Sequence, residues 1–156
     1  MPTRSRSTTV SAERLYHLEA ARSDEQRAYM DQLEADGICI FCPDHQRMPV
    51  EFSGEHWYVT RNDFPYPGTV AHFLIVPHRH VASFDELPDA AGAELWAIKR
   101  RLKAELAPLA TATVERSGDM RFNGASVAHL HTHFVALDAE PEATVRFRVS
   151  AHGPGE

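Results

Sequence analysis

His129-Leu130-His131-Thr132-His133-Phe134-Val135 sets three histidines at alternating positions ahead of an apolar pair. Alternation at period two is strand spacing, so in a β-strand all three imidazoles leave one face, successive rings ~7 Å apart. A single histidine on an apolar face is commonly a satisfied core residue; three in register are hard to justify as packing. Two chemistries want such a row. Neutral imidazoles can ligate a metal, or one ring can act as nucleophile while its neighbours position a substrate. The upstream residues favour the second. Gly124-Ala125-Ser126-Val127 offers a glycine that admits close approach and a hydroxyl donor, as a phosphate-binding turn requires.

The histidine row resembles the signature of the histidine-triad superfamily of nucleotide hydrolases and transferases, His-φ-His-φ-His-φ-φ with φ apolar. Thr132 is the one departure from it. The resemblance covers roughly residues 38 to 137. It implies an α+β fold, an antiparallel β-sheet with packed helices, usually assembled as a homodimer.

Composition sets bounds that agree with this. At 156 residues the chain is expected to form one domain with a real core. Hydrophobic content of 43% and charged content of 24% are ordinary for a globular protein. A formal net charge of −6 argues against a nucleic-acid polymer as partner, which wants a basic surface. A small nucleotide is compatible, since backbone amides and neutral donors can hold its phosphate. No apolar run approaches the ~20 residues of a membrane span. The opening segment has two arginines but no apolar stretch behind them, so no secretory signal is expected and a cytoplasmic location is the default.

Residues 1–10 carry no core pattern and are expected to be disordered. Ser11 to Ala35 reads as one or two helices, with Ser23-Asp24-Glu25-Gln26 fitting a capping box and Gly37 a stop. The expected organisation is an N-terminal tail and helical extension over 1–37, a catalytic domain over 38–150 and a C-terminal tail over 151–156.

Cys39-Ile40-Phe41-Cys42 contains the only two cysteines. Alone, Cys-x-x-Cys fits a zinc half-site, a redox pair or coincidence. A redox pair would open a helix in a parallel α/β unit, and Pro43-Asp44-His45 follows instead, so zinc is the better reading but needs two more ligands. Many bacterial histidine-triad proteins begin their core with Cys-Ile-Phe-Cys. By motif, that resemblance carries the remaining ligands to His80, in Pro77-His78-Arg79-His80, and to His129. The result is a structural zinc site with no open position; His45 and His78 are the competing ligands. Ile40 and Phe41 match positions that contact the nucleobase, with core packing as the alternative.

Trp57-Tyr58-Val59-Thr60 and His72-Phe73-Leu74-Ile75-Val76-Pro77 read as strands around a loop punctuated by proline and glycine. The resemblance puts a ribose-binding residue at Asn62, otherwise a turn residue, and sets His72 near the phosphate. A helix is expected from Pro88 to Leu106, with Leu95, Ile98, Leu102, Leu106 and Leu109 as its apolar stripe. Lys99, Arg100, Arg101 and Lys103 read as its solvated side. Thr111–Glu115, Met120–Phe122 and Thr144–Val149 read as further strands.

The phosphate loop begins at Asn123 and Gly124. Family members usually have Asn, a glycine-rich stretch and Gly-Gln-Ser; here the stretch is missing and Ala125 stands where the glutamine would be. The resemblance implies that His131 attacks an α-phosphorus to give a covalent nucleotidyl-imidazole, with Ser126 and His133 donating to the phosphate oxygens and His129 tied to zinc. Leu130 fits the hydrolase-like branches, since the uridylyl transferase typically has proline there. A small-molecule nucleotide is the implied substrate. Two other readings stay open: a non-catalytic nucleotide-binding or sensor protein of the same fold, and a catalytic metal held jointly by His129, His131 and His133.

Overall fold

The computed structural model describes residues 14–137 and 144–149. The expected tails over 1–10 and 151–156 lie outside these residues. The core is a five-stranded, wholly antiparallel sheet. Its strands are β1 (Val50–Ser53), β2 (Trp57–Arg61), β3 (Ala71–Pro77), β4 (Ala110–Glu115) and β5 (Thr132–Leu137), in spatial order β1-β2-β3-β5-β4. Helices α1 (Asp24–Ala35), α2 (Asp89–Leu106) and a single turn α3 (Met120–Asn123) complete it. The α+β architecture read from the sequence is the architecture observed.

Strands β2 and β3 form the expected hairpin, with Val59 opposite Ile75. Both strands are buried on both faces, which explains why β3 reads as a continuous apolar run. Trp57, Val59, Phe73, Ile75 and Phe134 point to one side and pack with Ile98 and Leu102 of α2. The Trp57 indole N–H donates to the Ala91 carbonyl at 2.8 Å, fixing the start of that helix on the sheet. Tyr58, Leu74 and Val76 point to the other side, where Tyr16, Met30, Leu33, Phe41 and Val127 cover them.

Four local expectations are corrected. Among residues 14–23 no α-helix precedes α1: Leu18–Ala20 is one 3-10 turn, and Tyr16 is bridged to Val127. There the backbone prefers the triad loop to itself, His17 N–H donating to Ser126 O at 2.9 Å and Ala128 N–H to Leu15 O at 2.8 Å. Met120–Phe122 is helical, because Asp119 caps its first turn and Gly118 and Gly124 take φ of +93° and +79° on either side. Thr144–Val149 has no regular secondary structure. Leu109 leaves the α2 stripe and is 85% exposed, since Ala107 ends the helix in a left-handed conformation at φ +46°.

Helix α1 starts and stops where expected. The Ser23 hydroxyl accepts from Gln26 N–H at 3.1 Å, while the Gln26 side chain accepts from Arg22 N–H at 2.8 Å. At the other end, Ile38 N–H donates to Leu33 O and Gly37 N–H to Glu34 O around a φ of +66° at Gly37. That is a Schellman closure, and it aims the chain at Cys39.

Candidate active site

Only His133 of the three triad histidines lies in a strand. β5 begins at Thr132, so His129 and His131 precede it, in an irregular segment anchored by Leu130 N–H donating to Val81 O at 2.7 Å. This corrects the single strand row and divides the labour. His129 turns towards the cysteines, whereas His131 and His133 line a cleft of about 690 Å³, their ring centroids 4.9 Å apart. That volume suits a small-molecule ligand. Thr132, the departure from the signature, is fully buried, with its hydroxyl donating to a Glu115 carboxylate oxygen.

The hydrogen bonds fix which ring nitrogen carries each proton. A carbonyl only accepts, so His131 Nδ1–H donates to its partner, His129 O, at 2.8 Å. Its Nε2 therefore keeps the lone pair. In the same way His129 Nε2–H donates to Pro77 O at 2.8 Å and leaves Nδ1 as the free donor atom. On β3, His72 Nδ1 accepts Tyr66 N–H at 3.0 Å, and His72 Nε2 lies 2.9 Å from His133 Nδ1. These two are diagonal neighbours on one sheet face, His72 opposite Val135 and His133 opposite Leu74.

Burial keeps these rings neutral. It pushes His131 down to about 4, against the bond to His129 O and with help from the nearby Arg116 charge. His72 is pushed down to about 4 by burial and then by Arg22 and His131. His133 is held well below its ordinary value by burial, then by His131, Arg116 and His72.

Ser126, Gly124, Asn62, Ile40 and Phe41 all line the same cleft as His131 and His133. The Phe41 ring centre sits 5.0 Å from that of His131. Asn62 Oδ1 accepts Phe64 N–H at 2.9 Å in a turn, and Asp63 also reaches the lining. His72 stands behind His133. Asn123 is occupied holding the loop, Oδ1 accepting Ala125 N–H at 2.9 Å and Nδ2 donating to Ser117 O at 3.2 Å.

Sequence reading missed the cationic and aromatic part of this wall. Arg116, just past the end of β4, brings Nη1 to 3.2 Å from His133 Nε2, and its Nε–H donates to Arg148 O at 2.7 Å. Arg22 lies over the Tyr66 ring, 4.3 Å from its centroid, and Tyr66 stacks on His133 at 5.4 Å. Arg146 to Val149, expected in a strand, instead border the cleft. Only the β4–β5 pairing of Val114 with His133 carries a signal for Arg116, since alternation puts residue 116 on the triad face.

Next to the cleft, Cys39, Cys42, His80 and His129 offer one ligand atom each, all within 4.8 Å of one another. Cys42 Sγ lies 3.2 Å from His80 Nδ1 and 3.7 Å from His129 Nδ1; Cys39 Sγ lies 3.5 Å from His129 Nδ1. This is a Cys2His2 donor set able to hold a metal ion. His78 stands apart, its Nε2 on Gly54 O at 3.2 Å, and His45 is not in the cluster. Among the described residues the triad histidines form no joint metal cluster.

Solved structures share the fold at low identity. A histidine triad protein from Clostridium difficile is 18% identical with a TM-score of 0.53, over 68% of this chain and 93% of its own. A HIT family hydrolase from Legionella pneumophila is 20% identical with a TM-score of 0.52, over 67% and 93%. A zinc-bound histidine triad family protein from Mycobacterium smegmatis is 18% identical with a TM-score of 0.52, over 70% and 78%. No curated protein sequence is significantly similar. The family model of the HIT domain matches residues 51–140, which take in the hairpin, α2 and the whole triad, and on that match the chain belongs to the HIT domain family.

Proposed function

We propose that the protein is a nucleotide hydrolase or nucleotidyl transferase that works through a covalent nucleotidyl-histidine at His131. The observation that carries this reading is the 2.8 Å bond from His131 Nδ1 to its own segment's carbonyl at His129, which aims a neutral Nε2 lone pair at the cleft. Nε2 attacks the α-phosphorus and forms an N–P bond. The bond to the leaving group breaks, and that group departs with the electron pair and takes up a proton. Water or another acceptor then attacks phosphorus, and the imidazole leaves. Ser126 and His133 donate to the phosphate oxygens, and each such donor is typically worth ~3 kcal/mol in the transition state. Asn62, Ile40 and Phe41 hold the nucleoside, with His72, Asn123 and Gly124 shaping the phosphate end. The Legionella protein, a HIT family hydrolase, supports this class.

The cysteine–histidine cluster is assigned to structural zinc. Zinc at about 2.3 Å from sulfur and about 2.0 Å from nitrogen at tetrahedral angles sets S and N about 3.5 Å apart, close to the 3.2 Å, 3.5 Å and 3.7 Å between these sulfur and nitrogen atoms. The Pro77 carbonyl on His129 Nε2 supplies the outer-shell partner that fixes a ligating imidazole. Burial, with Cys39 beside it, pushes the Cys42 thiol up to about 12, which a divalent cation reverses. Bound zinc would hold the 39–42 turn to the triad segment. The zinc-bound Mycobacterium protein supports the choice of metal. A cytoplasmic homodimer completes the reading, the dimer being testable by solution mass.

The second reading, a nucleotide-binding protein without turnover, is favoured by one feature: buried Ala125 contributes no side-chain donor where the family has glutamine. Incubation with nucleoside phosphoramidates, dinucleoside polyphosphates and nucleotide sugars separates the two. Nucleoside monophosphate release that disappears in His131→Ala supports the enzyme. Binding without release supports the alternative.

A further inference from the structure

The contact between Arg116 and His133 has the wrong polarity for a hydrogen bond. Tyr66 N–H can only donate, so His72 Nδ1 is an acceptor and the proton of the neutral ring is on Nε2. That proton points at His133 Nδ1, 2.9 Å away, which must then be an acceptor too. The proton of neutral His133 is left on Nε2. Arg116 Nη1, 3.2 Å from that nitrogen, is a donor at every accessible pH. Asn62 does not alter this. Its Oδ1 accepts Phe64 N–H, and its Nδ2 is almost equidistant from both His72 nitrogens, 3.4 Å and 3.2 Å, so it lies over the ring. Reversing the relay would set two N–H groups against each other at buried Tyr66, where no acceptor could enter. The conflict is instead placed at the cleft, where one can.

We propose that Arg116 and His133 form a two-donor clamp for one anionic oxygen of the substrate phosphoryl group. Arg116 then supplies, from the end of β4, the side-chain donor that Ala125 does not. The Nε–H bond to Arg148 O at 2.7 Å holds the guanidinium there, so the segment at 144–149 positions the clamp. A permanent charge in that place favours a substrate oxygen that is fully ionised, and charge-assisted donors are the strong ones. Two donors converging on one point also constrain the phosphoryl group in front of His131. This rests on the function proposed above only in taking a nucleotide as the ligand.

Titration calorimetry of the full chain with adenosine 5′-monophosphate and with adenosine tests it. In Arg116→Gln, affinity for the monophosphate is expected to fall about 10- to 100-fold, as for loss of a charged hydrogen bond. Affinity for adenosine should not move, and Arg116→Lys should recover part of the loss. If the monophosphate binds a folded Arg116→Gln as tightly as the original protein, the clamp is wrong while the nucleotide reading survives. If the unaltered protein binds neither compound and turns over no nucleotide, both fall. Should Arg116→Gln not fold, Arg116→Lys carries the test through its monophosphate-to-adenosine affinity ratio, unchanged if the clamp is wrong. A nitrogen-15 spectrum of His133 provides a readout without ligand, with the proton on Nε2 expected and a proton on Nδ1 overturning the proposal.

Discussion

The Tyr16 hydroxyl donates to Ile38 O at 2.7 Å and accepts Ile40 N–H at 3.1 Å, clasping the turn that carries Cys39. Tyr16 is wholly buried, and its own backbone N–H is accepted by the Glu34 carboxylate at 2.8 Å. The segment before α1 is therefore part of the wall behind the metal cluster and the cleft. Tyr16→Phe removes the donor and acceptor but keeps the ring. It is expected to lower stability by about 1–3 kcal/mol, because both backbone groups lose their partner. Urea denaturation at saturating zinc measures this, and an unchanged midpoint would mean that water replaces the hydroxyl without loss.

Removing one side chain of the proposed zinc site should act on metal and stability before chemistry. Cys39→Ser and His80→Ala are expected to reduce bound zinc below one equivalent and to lower the melting temperature. His131→Ala, whose ring faces the cleft, should keep both while abolishing turnover. Metal analysis alongside thermal denaturation checks the three variants. Full zinc in a Cys39→Ser/His80→Ala double variant would sink the site.

These two tests divide what was legible from what was not. Cys39, Cys42, His80 and His129 come together as the family resemblance implies: the two cysteines share one turn, while His80 follows β3 and His129 precedes β5, which pair side by side. Tyr16 is not legible: its partners lie 18 and more residues away, and the apolar spacing around it fits a helix equally well. Arg116 follows a strand that reads as ending one residue before it, and its place near His133 depends on the β4–β5 register that sets Val114 opposite His133, which no local pattern encodes. β1 escaped notice because three of its four residues are exposed, so no alternation marks it. Met120–Phe122 has strand-like composition, yet two left-handed glycines bracket it and leave room only for a turn.

Acid should unfold the protein partly through its sheet-face histidines. The His72 pKa is lowered to about 4, mainly by burial, against an unfolded value of about 6.5. Between those values the unfolded chain binds the proton and the folded one does not, so stability rises with pH across that window. It is fully present above about 6.5 and is lost as pH falls towards 4, by up to about 1.4 kcal/mol per pH unit for each such ring. His133 shifts in the same direction. Urea denaturation from pH 7 to pH 4.5, with equal zinc content, is expected to give a shallower pH slope for His72→Gln than for the original protein. Coincident slopes would show that His72 is not held neutral by the fold.

Thr132 offers a test of why the signature's apolar position is polar here. Its hydroxyl is buried and donates to the Glu115 carboxylate directly across the β4–β5 ladder. Thr132→Val restores the apolar pattern and nearly preserves volume, yet it leaves the carboxylate without that donor. Removal of one partner from such a pair costs about 1–3 kcal/mol, whereas removal of both can be nearly neutral. Thr132→Val alone is therefore expected to lower the unfolding midpoint, and Thr132→Val with Glu115→Leu to recover most of the loss. A double-variant cycle by urea denaturation supplies the coupling energy. Additive losses in that cycle would mean that the two side chains contribute independently.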